Sequence, residues 1–137
     1  MVNSVMNHMQ VFIDSQHVDF YKNLFTFLGW SILYEDKAAV NVGDKNGISI
    51  WFDPAIKDVK NNYDGMGMNH LALSVSSEED VNKTVDWLRK NNIPTLFGTP
   101  CHRLDFADAK DQTYYQVMFE SPDKLLFEVV YSGPLSE

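Results

Sequence analysis

Two Asn-His pairs stand at the heads of alternating apolar runs, in "NSVMNHMQVFID" and in "GMGMNHLALSVS". Their histidines, His8 and His70, lie 62 positions apart in a chain with only four histidines. A third residue of interest is Glu128, in "LLFEVVY", a carboxylate inside a run of strand-forming apolar residues. A strand alternates its faces, so Leu126, Glu128 and Val130 share one side, and Phe127, Val129 and Tyr131 share the other. A carboxylate in apolar surroundings needs a cation or a hydrogen-bonding partner. Two imidazoles and one carboxylate from separate strands are a sufficient set for a divalent metal with open coordination positions. A lone His at a strand start is most often a surface residue, and a lone Glu in a strand most often sits at an edge or pairs with a base. The joint placement of the three is what points to a metal.

The elements that must position these residues come twice. "MQVFI" reads as a strand ending near Asp14. "QHVDFYKNLFTFLG" places Val18, Tyr21, Leu24, Phe25 and Leu28 on one helical face, and Gly29 suits the left-handed residue beyond the helix end. The strands "WSILYE", "AAVNVG" and "GISIWFD" follow, the last two joined at "GDKNG". After residues 54–69, a polar stretch expected to be a linker, the order recurs. "HLALSV" is a strand. "SSEEDVNKTVDWLRKNN" is a helix with a capping box at Ser76–Glu79 or Ser77–Asp80, a buried stripe of Val81, Val85 and Leu88, and an end at Asn91 or Asn92 before Pro94. Gly29 and Asn91 keep the histidines' 62-residue offset. "TLFGTP", "TYYQVMF" and "LLFEVVY" are the remaining strands, and "DFADAKDQ" is a polar loop expected at a pocket mouth.

These elements predict an α+β fold of two βαβββ modules. The modules are expected to form a curved eight-stranded mixed sheet around a cleft, with the helices outside. The chain is expected to be a single domain, 1–137, with module 1 at about 5–53 and module 2 at about 69–131. A cleft of this kind binds small molecules. A composition of 45% hydrophobic and 13% aromatic residues is too apolar for a disordered chain. A net charge of −8 argues against nucleic-acid and anionic membrane partners. No apolar run approaches the roughly 20 residues of a membrane span. No secretory signal is expected, and a single cysteine, Cys101, fits a reducing, cytoplasmic setting.

On "FYKNLFTFLGW", "NHLALSVSSEEDVNKTVDWLRKNNI" and "YYQVMFESPDKLLFEVVY", the chain resembles the vicinal oxygen chelate superfamily. That superfamily includes glyoxalase I, extradiol dioxygenases, fosfomycin-resistance thiol transferases and bleomycin-resistance proteins. The "SPDK" turn before the Glu128 strand resembles the family's "DPDG"-like turn. The resemblance implies a divalent ion (Fe, Mn, Zn or Ni) held by His8, His70 and Glu128, and a substrate that chelates it through adjacent oxygens. Glyoxalase I carries a second glutamate on the first module's last strand. Matching the two hairpins puts Trp51 at the place of Glu128, with Ser49 two residues earlier, so authentic glyoxalase I activity is not expected.

The expected function is that of a metalloenzyme acting on a small oxygen-rich molecule, by dioxygenase, lyase/isomerase or thiol-transferase chemistry. The alternatives are a non-catalytic, antibiotic-binding resistance protein of the same fold and an interaction domain. Tyr114 is a candidate catalytic donor. Gln116, Met118, His102, Arg103 and Trp51 are candidate substrate contacts, with Arg103 suited to an anionic group. A homodimer is expected, because outer edge strands need covering.

Overall fold

The computed structural model describes residues 1–136, and the chain folds as two units, Met1–Lys60 and the residues from Asn61 onward. The first unit runs β1 (His8–Ile13), a 3-10 turn (Ser15–His17), α1 (Val18–Phe27), β2 (Ser31–Glu35), β3 (Val40–Gly43) and β4 (Ser49–Pro54). Its sheet has the order β1-β4-β3-β2, with β1 parallel to β4 and the other pairs antiparallel. The second unit runs β5 (His70–Ser74), α2 (Glu78–Lys90), β6 (Leu96–His102), a 3-10 turn (Leu104–Phe106), β7 (Gln112–Glu120) and β8 (Leu126–Pro134). Its sheet repeats the pattern, β5-β8-β7-β6, with β5 parallel to β8. The eight strands therefore form two four-stranded mixed sheets, one per βαβββ module.

Each helix covers one face of its own sheet. From α1, Val18, Tyr21, Leu24 and Phe25 are buried and Leu28 is half-buried. Tyr21 stacks on Phe52 of β4 at 4.4 Å between ring centres, and Phe25 meets the same ring at 5.4 Å. From α2, Val81, Thr84 and Leu88 are buried. The stripe includes Thr84 where the spacing favoured Val85, which is half-buried. Thr84 can take the inner place because its hydroxyl donates to the Asp80 carbonyl at 2.8 Å, so no polar atom is stranded. Of the two capping boxes, Ser77 forms the cap: its hydroxyl accepts from the Asp80 N–H at 3.1 Å, and the Asp80 carboxylate takes the Ser76 hydroxyl at 3.0 Å.

Both helices end in the same motif. Gly29 N–H bonds the Thr26 carbonyl and Trp30 N–H the Phe25 carbonyl, with Gly29 at φ +87. Asn92 N–H bonds the Arg89 carbonyl and Ile93 N–H the Leu88 carbonyl, with Asn92 at φ 58. These are two Schellman ends, and in the first the Trp30 ring closes over Phe25 at 5.1 Å. The residue matching Gly29 is thus Asn92, not Asn91. The helix ends are set one residue further apart than the two histidines.

The hairpins correspond as well. Asp44 Oδ1 accepts from the N–H groups of Asn46 and Ile48, and Ser121 Oγ accepts from those of Asp123 and Leu125. Gly47 and Lys124 occupy equivalent left-handed positions in the two loops. The stretch 54–69 is only partly a connection, since the unit boundary falls inside it. Asn61 Nδ2 donates to the Lys124 carbonyl at 2.8 Å, and the Tyr63 hydroxyl donates to Glu120 at 2.9 Å, so its second half is docked on the β7–β8 hairpin. No helix among the described residues is long and apolar enough to cross a membrane.

Candidate metal centre

In the second unit β5 and β8 run side by side, with His70 opposite Leu126 and Ala72 opposite Glu128. Alternation places His70 and Glu128 on the same face, the one turned away from α2. His70 Nε2 lies 3.0 Å from Glu128 Oε2, and the carboxylate is 4% exposed against 37% for the imidazole. The other carboxylate oxygen, Oε1, accepts the Tyr114 hydroxyl at 2.5 Å.

The proton on His70 can be assigned from its neighbours. Asn69 Nδ2 donates to the Tyr63 carbonyl at 2.8 Å, which fixes the orientation of the amide. Its Oδ1 then faces His70 Nδ1 at 2.8 Å. An amide oxygen only accepts, so Nδ1 carries the hydrogen. In the neutral ring the lone pair of Nε2 is therefore directed at a carboxylate oxygen. Two acceptors at that distance repel each other unless a positive centre lies between or beside them. A proton on Nε2 would serve, and so would a divalent cation. Two ligand atoms about 2.1 Å from one ion and at a right angle are roughly 3.0 Å apart, so the pair suits a metal as two adjacent ligands. Among the described residues of this unit, no third His, Cys, Asp or Glu joins them around a common point.

Around this pair stand other residues singled out from the sequence. Met118 is directly opposite Glu128, and Gln116 is opposite Val130, on the same face. Gln116 is buried and Met118 half-buried. Tyr114 is pushed up to about 12, first by burial, then by its hydrogen bond to Glu128 and by that group's charge. Its ring meets the edge of Phe106 at 5.6 Å, and the Arg103 guanidinium lies 4.3 Å over the Phe106 ring. Arg103 is held above its ordinary range, chiefly by its hydrogen bonds to the Asp105 carboxylate.

His102 is not brought to Glu128. It pairs with Tyr115 in the β6–β7 register, which turns it to the helix side of the sheet. There its Nε2 lies 3.3 Å from Glu78 of α2, its Nδ1 lies 2.6 Å from the Thr113 hydroxyl, and its ring lies 4.4 Å from that of Tyr115. It ties the sheet to the start of the helix. Cys101, by contrast, is opposite Gln116 and half-buried.

The first unit repeats the local geometry at His8, where Asn7 Oδ1 lies 2.6 Å from Nδ1. His8 is opposite Ser49 and Gln10 is opposite Trp51, as His70 is opposite Leu126 and Ala72 opposite Glu128. Trp51 is the register equivalent of Glu128. It is half-buried, with its ring 5.6 Å from that of Tyr34. Asp53, two residues beyond on the same face, accepts from Gln10 Nε2 at 2.8 Å. Asp53 is not among the residues the sequence points to, although it shares the alternation parity of Trp51. Nor are Asn7 and Asn69 as functional side chains, although each stands directly before a histidine.

No protein-family profile matches the chain, and no curated protein matches it. Solved structures do match. A protein from Bacillus halodurans, provisionally described as a glyoxalase, superposes with a TM-score of 0.76 at 20% identity, over 92% of this chain and 94% of that one. A glyoxalase/dioxygenase from Nostoc punctiforme gives 0.69 at 18% identity, over 96% and 99%. A Glu-to-Gln variant of the fosfomycin resistance protein FosX from Listeria monocytogenes, complexed with Mn(II) and 1S,2S-dihydroxypropylphosphonic acid, gives 0.66 at 15% identity, over 94% and 90%. The fold, two βαβββ modules, is the one these structures share. Identities this low carry the architecture across, and the chemistry has to be argued from this chain's own residues.

Proposed function

We propose that His70 and Glu128 are two ligands of a divalent metal and that the protein is a metalloenzyme acting on a small, oxygen-rich molecule. His8 is the third ligand in this reading, supported by the repeated Asn–His arrangement. The observation that carries the proposal is the 3.0 Å approach of His70 Nε2 to Glu128 Oε2, with the Nε2 lone pair left free by Asn69. The FosX structures, which hold Mn(II), are in keeping with it. A bound divalent ion would supply Lewis acidity, stabilising negative charge that develops on a substrate oxygen. The chain's own contribution is orientation. Asn69 holds the imidazole in one tautomer, Glu128 offers a charged oxygen from a water-poor site, and Met118 and Gln116 line the same face of the sheet. Arg103 remains a candidate for an anionic substrate group, although Asp105 already engages its guanidinium.

Metal analysis of protein prepared without chelator tests the reading directly. We expect a stoichiometric first-row divalent ion, and a Mn(II) affinity that Glu128→Ala lowers by more than about 10-fold, since even outer-sphere partners are worth that much. Metal-free protein that also takes up no added Mn(II), Fe(II), Zn(II) or Ni(II) would leave His70 and Glu128 as a simple ion pair and end the proposal.

A further inference from the structure

Glu128 has two oxygens, and an ionised carboxylate can hold a cation through one or both. We propose that Tyr114 is a positioning residue that commits Glu128 to binding through Oε2 alone. The inference rests on the metal reading above and specifies how this carboxylate would bind.

The contact between the Tyr114 hydroxyl and Oε1, at 2.5 Å, has the length of a charge-assisted O–H···O⁻ bond. It occupies the oxygen that points away from His70, while Oε2 faces Nε2. The donor is held from several sides. Tyr114 is opposite Ser132, two register positions along the strand pair from Gln116 and Val130 and four from Met118 and Glu128, so only a long side chain reaches the carboxylate from there. Its carbonyl accepts the Arg103 N–H at 2.7 Å. Its ring is braced edge-on by Phe106, which lies under the Arg103 guanidinium. The hydroxyl proton is therefore spent on Glu128, and Tyr114 is not the donor to substrate that its position first suggests. Limiting Glu128 to one oxygen would keep one more coordination position open for substrate or solvent.

The test compares the wild-type protein with Tyr114→Phe, which keeps the ring and removes the hydroxyl. Thermal melts of both proteins without metal establish that the fold is retained. The Mn(II) dissociation constant is read from the electron paramagnetic resonance of the free ion. The ligation mode is read from the visible absorption of the Co(II)-loaded proteins. We expect affinity to fall about 10- to 100-fold and the Co(II) bands to shift in position and intensity as Glu128 becomes free to bind through both oxygens. Equal affinity and an equal spectrum would overturn the inference while leaving the metal reading intact. Weaker binding with an unchanged spectrum would overturn it too, because the carboxylate would then bind the same way without its partner. A wild-type protein that binds neither ion would overturn both readings together.

Discussion

The tautomer of His70 is set by hydrogen bonds that begin at a backbone carbonyl, that of Tyr63, in a stretch the sequence suggests is mere connection. Tyr63 orients Asn69, and Asn69 orients the imidazole. Replacing Asn69 by Ala should free the ring and lower Mn(II) affinity by roughly 10-fold, the usual cost of losing such a partner. Asn7 stands in the same relation to His8, so Asn7→Ala offers an independent reading of that residue. Equal losses in the two variants would make both histidines ligands; an Asn7→Ala protein that titrates like the wild type would remove His8 from the set. The sequence made the histidines and Glu128 visible through repetition and strand parity. It could not reveal the Tyr114–Glu128 bond, because a tyrosine near a sheet's rim usually just packs, and the diagonal reach between strands depends on register.

At the level of elements, the alternating runs and the two amphipathic stretches were legible because each has a period that only one kind of element satisfies. The finer errors have local causes. Thr84 took a core place because its hydroxyl is satisfied within the helix. Asn92, rather than Asn91, became the left-handed residue because the Schellman bonds form one position later. In β6 the register shifts between Leu96 and Cys101, so the six residues from Leu96 to Cys101 span three on β7, Gln116 to Met118, and no pattern in "TLFGTPCH" announces it. His102 was therefore not traceable to the helix side by counting. The helix ends permit a paired stability test. A Cβ at Gly29 would meet nothing within 4 Å, so Gly29→Ala pays only the left-handed backbone cost and should destabilise by about 1 kcal/mol in urea unfolding. Asn92→Gly, which removes the same cost, should stabilise slightly. The start of α2 adds a pH dependence. The carboxyl of Asp80 is held below its usual value, first by the Ser76 hydroxyl, then by Ser77 and Lys83, against desolvation. Because its folded value is depressed, its contribution is present above the unfolded value of about 3.9 and is lost as pH falls through the folded one. Ser76→Ala should flatten that acid-side loss and leave stability at pH 9 lower than wild type.

On the scale of the whole molecule, the two modules share an order of elements, and Trp51 stands in the first at the register position that Glu128 holds in the second. Each sheet also ends in an edge strand. On β2, Ile32, Leu33 and Tyr34 are all exposed. An edge of that kind invites pairing, and we expect sedimentation to report a homodimer; a monomer at high concentration would refute this.

The difference at Trp51 bears on chemistry. Isomerising the hemithioacetal of methylglyoxal and glutathione moves a proton between adjacent carbons, which needs a base held beside the reacting atoms. Glu128 is committed to Tyr114 and His70. Gln116 is an amide and no base near neutral pH. Tyr114, pushed up to about 12, keeps its proton under assay conditions. His102 is on the helix side of its sheet with Glu78 and Thr113. Metal-loaded protein should therefore turn over this substrate little or not at all when assayed with Zn(II), Ni(II), Mn(II) or Fe(II), alongside a catechol and an epoxide plus thiol. Robust lyase activity would defeat the argument from Trp51. The base would then have to be sought at Asp53, the carboxylate that follows Trp51 on the same face, and Asp53→Asn would abolish that activity while leaving Mn(II) affinity unchanged.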